Sequence, residues 1–128
     1  MMKAGDVVKI YAPVAGYNKY HFCVCIPESE TAGKFLYLNS DPDYRDTLSV
    51  DCNRIPFLPP SRTGKTAISF TSVARYNTER LELFQAEVLG EMPDDIIHEM
   101  FTFAQSVRSL TRSDKQLVIE VLEALLSK

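Results

Sequence analysis

The spacing of apolar residues changes once along this chain, at Met92, and the change separates two kinds of structure. Before it, apolar residues come in short runs cut by turn-forming residues, the pattern of short strands. Residues 6–11 (DVVKIY) are a β-branched run closed by Pro13 and by the turn signal Gly16-Tyr17-Asn18. Residues 20–26 (YHFCVCI) alternate, with Phe22, Val24 and Ile26 on one face and His21, Cys23 and Cys25 on the other. Neither face is strongly polar, so this strand is expected at the centre of a sheet, with residues 34–38 (KFLYL) as its hairpin partner after Gly33. Residues 39–46 (NSDPDYRD) read as loop. Residues 47–52 and 55–58 read as short strands ended by Pro59-Pro60, and 66–76 as a longer one. Residues 78–89 fit either period; the preferred reading is a strand over 83–89 ended by Gly90.

After Met92 the period is helical. Pro93-Asp94-Asp95 opens a helix over 93–110, with Pro at the start and two acids at the positive end of the dipole. Ile96, Ile97, Met100, Phe101, Ala104 and Val107 share its apolar face. Ser113 is the expected N-cap of a second helix over 113–126, striped by Leu117, Val118, Val121, Leu122 and Leu125. The expected fold is therefore β-rich α+β: one domain over 1–128, with a small barrel-like β unit over 1–90 followed by two C-terminal helices. That second helix is expected to pack on the barrel; the functional alternative is that it lengthens a dimer contact or shields a cationic groove.

Composition narrows the classes of function. With 45% hydrophobic and 24% charged residues, the chain of 128 is neither disordered nor collagen-like. No apolar run approaches the ~20 residues that span a bilayer, so no membrane partner is expected. Asp6 and Lys9 stand where an export signal needs its apolar stretch. Together with an odd number of cysteines, three, they lead to the expectation of a reducing cytoplasm. The net charge of -3 disfavours strong nucleic-acid binding, but it is unevenly spread. Residues 1–80 hold 10 Lys/Arg against 8 Asp/Glu, net +2, and residues 81–128 hold 4 against 9, net -5.

Two apparent motifs are set aside on physical grounds. Gly64-Lys65-Thr66 ends like a phosphate-binding loop, but Pro59 stands where another Gly is needed and strand follows where a helix is needed. His21, Cys23 and Cys25, with Cys52 or His98, supply zinc-type donors, but positions two apart on a strand converge on one ion only with distortion. Buried core thiols are the simpler reading, and no metal or cofactor is expected. The more informative set lies near strand ends: Lys19 and His21 at the start of the second strand, Ser40 just after the third, and Arg45, Arg62, Lys65 and Arg75 around them. Cutting RNA without metal needs a base at the 2′-hydroxyl, an acid at the leaving oxygen and cations at the phosphate, and these residue types suit those tasks.

In order and spacing the chain resembles the PemK/MazF/Kid toxins of toxin–antitoxin systems. KAGDVVKIYAP is similar to that family's opening strand, and YHFCVCIPE sits at its second strand. ISFTSVARYNTERL, Leu89-Gly90 and the helix over 93–110 are similar to its ending. The resemblance covers residues 3–110 and implies an SH3-like β-barrel, a homodimer, cleavage of single-stranded RNA, and neutralisation by a cognate antitoxin laid across the dimer groove. The family's catalytic Arg falls at His21, its following Pro becomes Phe22, and its Thr or Ser after the third strand is matched by Ser40. Its later Asp falls near Thr71, with no Arg before it. With the cationic set above joined to this resemblance, His21, Ser40 and Arg75 are the candidate catalytic residues, and Lys19, Arg45, Arg62, Lys65 and Thr71 the candidate RNA contacts. The competing expectation is a non-catalytic SH3-like barrel that binds and inhibits a protein target, as gyrase-inhibiting relatives do.

Overall fold

The computed structural model describes residues 1–13 and 15–128. Six strands run through the described residues: β1 (Asp6–Ala12), β2 (Tyr17–Cys25), β3 (Gly33–Asn39), β4 (Thr47–Asp51), β5 (Lys65–Tyr76) and β6 (Glu87–Glu91). A 3-10 turn at Cys52–Arg54 follows β4, and the helices are α1 (Thr78–Leu83), α2 (Asp94–Ala104) and α3 (Arg112–Leu126). The strands form one antiparallel sheet in the order β4-β5-β3-β2-β1-β6, so the architecture is β-rich α+β. The low polarity of both faces of β2 agrees with its place beside β3 at the centre. Among the described residues β4 pairs only with β5 and β6 only with β1, so the sheet is open rather than a closed barrel.

Each face of the sheet is covered by different elements. On one, Phe22, Val24, Leu36, Leu38, Ile68 and Phe70 form a core with Ile96 and Met100 of α2 and Val118 and Leu122 of α3. On the other, Val8, Ile10, Cys23, Phe35 and Ala74 are covered by Leu81 of α1, with Phe84 and Ala86 packed alongside. The sheet bends where its ladders slip. Tyr37 alone separates Leu36 from Leu38 on β3, whereas Ser69, Phe70, Thr71 and Ser72 separate their partners Ile68 and Val73 on β5. That bulge is held by the loop before β4: the Phe70 amide donates to the Asp46 carbonyl at 2.9 Å, and Thr71 Oγ1 donates to the Arg45 carbonyl at 2.9 Å. Gly33 is needed where β3 begins, because a Cβ there would lie 2.7 Å from Pro27 Cδ and 2.9 Å from the Cys25 carbonyl oxygen.

Several expectations are corrected. Residues 55–58 are not a strand: they form turns in which Ile55 is buried and Phe57 and Leu58 pack on the core. Phe57 lies where a Cβ on Gly90 would come within 2.8 Å of its ring. Residues 83–89 are not one strand, because α1 comes first and β6 starts only at Glu87. The α1 signal is local: the Asn77 side chain accepts from the Arg80 amide at 2.8 Å, and Glu79 lies in the first turn. The first C-terminal helix stops at Ala104, short of Leu110. Val107 and Leu110 remain buried in the connector, and Asp46 accepts from the Arg108 and Ser109 amides at 3.1 and 2.8 Å, holding that connector out of helix. Thr111 rather than Ser113 caps α3, accepting from the Asp114 amide at 3.2 Å. Strand β2 starts at Tyr17, so Tyr17 and Asn18 belong to the ladder, opposite Ala12 and Tyr11.

Candidate nucleic-acid interface

The expected site residues divide among three places. Lys19, Ser40 and Arg62 line one groove of about 440 Å³ at the end of the β2–β3 pair. Its strand wall carries Tyr17, Asn18, Lys19 and Tyr20 of β2 and Leu38 and Asn39 of β3; its other wall is the 58–62 loop with Pro59-Pro60. That loop is fixed to the strand end. Thr63 Oγ1 donates to the Ser40 carbonyl at 2.7 Å, Ser61 Oγ donates to the Lys65 carbonyl at 2.6 Å, and Gly64 turns the chain at φ +77. The phosphate-loop ending therefore sits in a tight turn running straight into β5.

Charge and aromatic surface are combined in this groove. Lys19 Nζ stands 5.1 Å from the centre of the Tyr37 ring, a cation–π contact that holds the ammonium toward the adjoining recess that Tyr37 lines. Among the described residues neither Lys19 nor Arg62 is in an ion pair. The carboxylate in the lining is Asp41, which accepts from the Asp43 amide at 3.0 Å. Tyr17 is 59% exposed at the rim. A second recess of about 310 Å³ shares Asn39 and Asp41 with the groove and adds Tyr37, Tyr44 and Thr71. Thr71 thus borders the same surface, and Arg45 contributes to it through its backbone carbonyl, with its side chain exposed.

The other expected residues go elsewhere. Lys65 pairs with its cross-strand neighbour Asp51 at the sheet edge. Arg75 lies on the helix-covered face, where it donates to both carboxylate oxygens of buried Asp114 at 3.1 and 2.9 Å, while Lys34 reaches the same group at 3.4 Å. Burial pushes the Asp114 carboxyl up, but hydrogen bonds from Arg75 and Lys34 outweigh it and leave its pKa lowered. Arg75 therefore fastens α3 to the sheet.

His21 is sealed in the second core. Its ring lies edge-on to Phe35 at 6.1 Å and to Tyr76 at 5.5 Å, and tilted on Tyr37 at 5.0 Å. Nε2 is 3.3 Å from the Tyr76 hydroxyl, and Nδ1 has no hydrogen-bond partner. Burial lowers its pKa to about 4; the Lys19 backbone opposes the shift and the Lys19 charge adds to it. It is a neutral core histidine at pH 7. Burial likewise raises Tyr76 to about 12 and Cys23 to about 12, so neither supplies an anion. His21, Ser40 and Arg75 are not brought together.

Sequence reasoning missed Tyr17, Tyr20, Tyr44, Asn39 and Asp41. The signal was present as aromatic residues interleaved with a cation in Tyr17-Asn18-Lys19-Tyr20. Reading Tyr17 as turn removed it from the strand face. Among the described residues no three His, Cys, Asp or Glu side chains cluster to hold a metal, and no helix is long and apolar enough to cross a membrane. The chain matches no protein-family model, no curated protein and no solved structure.

Proposed function

We propose that this chain is a toxin-like single-stranded RNA-binding protein of the PemK/MazF/Kid kind, acting in the cytoplasm, with the β2–β3 end groove as its RNA site. The observation that carries the reading is the grouping of two cations, Lys19 and Arg62, that have no ionic partner among the described residues with the tyrosines Tyr17 and Tyr20 along one groove. Cations meet phosphates, and tyrosine faces stack on unpaired bases regardless of sequence. Ser40 and Asn39 add hydrogen-bonding groups beside them. In this reading the bent sheet is an SH3-like barrel left partly open, the toxin is a homodimer, and an antitoxin neutralises it by covering the groove.

Recognition ranks ahead of cutting. A metal-free cleavage needs a general base within reach of the 2′-hydroxyl, and buried His21 lies outside the groove lining. The same burial favours, as the second reading, a non-catalytic member that inhibits a protein target.

Fluorescence anisotropy with labelled single-stranded RNA tests the proposal, alongside a gel assay for cleavage in chelator. Binding is expected, and log K should fall with log salt at a slope of about -1.4 for two phosphate contacts on a single strand. Lys19→Ala should reduce that slope by roughly half. Binding that is absent, or insensitive to salt and to Lys19→Ala, rejects the RNA reading in favour of the protein target. Cleavage in chelator by the wild type would reject recognition without cutting, and its loss in Ser40→Ala would assign the cut to this groove.

A further inference from the structure

We propose that the recess adjoining the RNA groove is a guanine site, in which Asp41 and Asn39 read the edge of the base and Tyr44 stacks on its face. The inference rests on the RNA reading and adds the choice of base to it. The recess, about 310 Å³, lies at the lower end of the range for small-ligand sites and shares Asn39 and Asp41 with the groove.

The slip in the β3–β5 ladder opens this recess. Opposite Tyr37, β5 places four residues where regular pairing has one; Phe70 turns into the core, and Ser69, Thr71 and Ser72 line the opening. The facing wall is the 39–46 loop, and it is fastened at its far end. Thr71 Oγ1 donates to the Arg45 carbonyl at 2.9 Å, and the Phe70 amide donates to the Asp46 carbonyl at 2.9 Å. The Asp46 side chain in turn accepts from the Arg108 and Ser109 amides. Within the loop, the Asp43 amide donates to Asp41 Oδ1 at 3.0 Å, which orients the carboxylate and leaves Oδ2 and a second Oδ1 lone pair for a ligand. Asn39 follows Tyr37 by two positions on β3, so it shares the same face of the strand.

A carboxylate beside a phosphate path weakens binding unless the ligand gives it hydrogens. Asp41 is in no ion pair among the described residues, so it does not serve to neutralise Lys19 or Arg62. Of the four RNA bases, guanine alone sets two N–H donors side by side on its Watson–Crick edge, at N1 and at the N2 amino group, matching the two carboxylate oxygens. Adenine and cytosine put a ring acceptor next to their amino group, and uracil flanks its one N–H with carbonyls. Each of these turns a lone pair toward the carboxylate. The Asn39 amide supplies the N–H donor that guanine O6 needs. Tyr44, 60% exposed, offers its ring for stacking. Lys19, held over the Tyr37 ring, is placed for the phosphate of the bound nucleotide or its neighbour.

Anisotropy titrations of the full chain test this, using labelled uridine oligomers that are plain or carry one central guanine, adenine or hypoxanthine. The guanine oligomer should bind about tenfold more tightly than the adenine one, with hypoxanthine, which lacks the N2 amino group, between them. Asp41→Asn should abolish the guanine preference, because its amide offers one acceptor and one donor, while the plain oligomer binds it no more weakly than wild type. Binding of the plain oligomer thus separates a lost base contact from a lost fold. Guanosine monophosphate alone, followed through the Tyr44 amide signal by nuclear magnetic resonance, should bind more weakly than the guanine oligomer, since it lacks the flanking phosphates. Oligomers bound equally whatever the central base, or a guanine preference that survives Asp41→Asn, overturn the guanine site and leave the groove standing. No binding by any oligomer rejects the RNA reading itself. In that case a monophosphate that binds wild type and not Asp41→Asn makes the free nucleotide the ligand, and one that binds neither overturns the site as well.

Discussion

His21 carries the clearest lesson at the scale of single residues. Alternation along β2 assigned it correctly to the face of Cys23, but nothing in its own strand says whether that face meets water. The cover is supplied by Leu81 and Phe84, in a stretch that fits either period and reads as strand only from residue 83, so an unrecognised helix made a core histidine look available. Its lowered pKa has a signed consequence. Between about pH 6.5 and the folded value of about 4, the unfolded chain binds the extra proton and the folded one does not, so stability falls as pH drops through that window. Over the whole window the loss is roughly 3 kcal/mol. Urea melts should show wild type losing roughly 3 kcal/mol relative to His21→Phe between pH 6.5 and 4, and a parallel pair of pH profiles would refute it. Asp114 has the opposite sign. Its lowered pKa stabilises the fold above the ordinary carboxylate range and is lost as pH falls through the lower folded value. Because Arg75 is 51% exposed, Asp114→Asn should cost only about 1–2 kcal/mol at pH 7 by denaturant melting, and little at pH 2.

Whole elements were legible where their signals were local. The β1, β2, β3 and β5 runs and the α3 stripe could be read because period, turn residues and β-branching agree there. Helix α1 escaped because residues 78–89 are apolar at spacings that serve both periods, although the Asn77 cap was in view. Its end is also atypical. The Ala86 amide donates to the Leu81 carbonyl and the Gln85 amide to the Glu82 carbonyl, a Schellman ending whose left-handed position is held by Gln85 at φ +53 instead of by glycine. Gln85→Gly should therefore stabilise the protein by about 0.5–1 kcal/mol, seen as a higher melting temperature; an unchanged or lower value would mean that the Gln85 side chain supplies compensating contacts. Helix α2 was overdrawn for a different reason. Val107 and Leu110 continue the apolar period, but Asp46, distant in sequence, takes the Arg108 and Ser109 amides.

At the scale of the molecule, long-range pairing is what the sequence does not show. Pairing of β6 with β1, and of β5 with both β3 and β4, brings together residues with no local sign of one another. The groove depends on that pairing, since the loop bearing Arg62 reaches Ser40 only because β5 lies beside β3. Lys19 and Arg62 could be picked out as isolated cations, but the tyrosines beside them gain meaning only from the fold. The division of charge, +2 through residue 80 and -5 beyond it, fits this geometry, with the groove on the cationic part and the acidic balance on the helical end. The most direct test of the central claim is a nuclear magnetic resonance titration of the labelled protein with a short single-stranded RNA. Amide signals of residues 17–20, 39–41 and 58–62 should shift together and saturate, while those of α3 stay still. Shifts confined to α3, or none at all, would contradict the assignment of this groove to RNA.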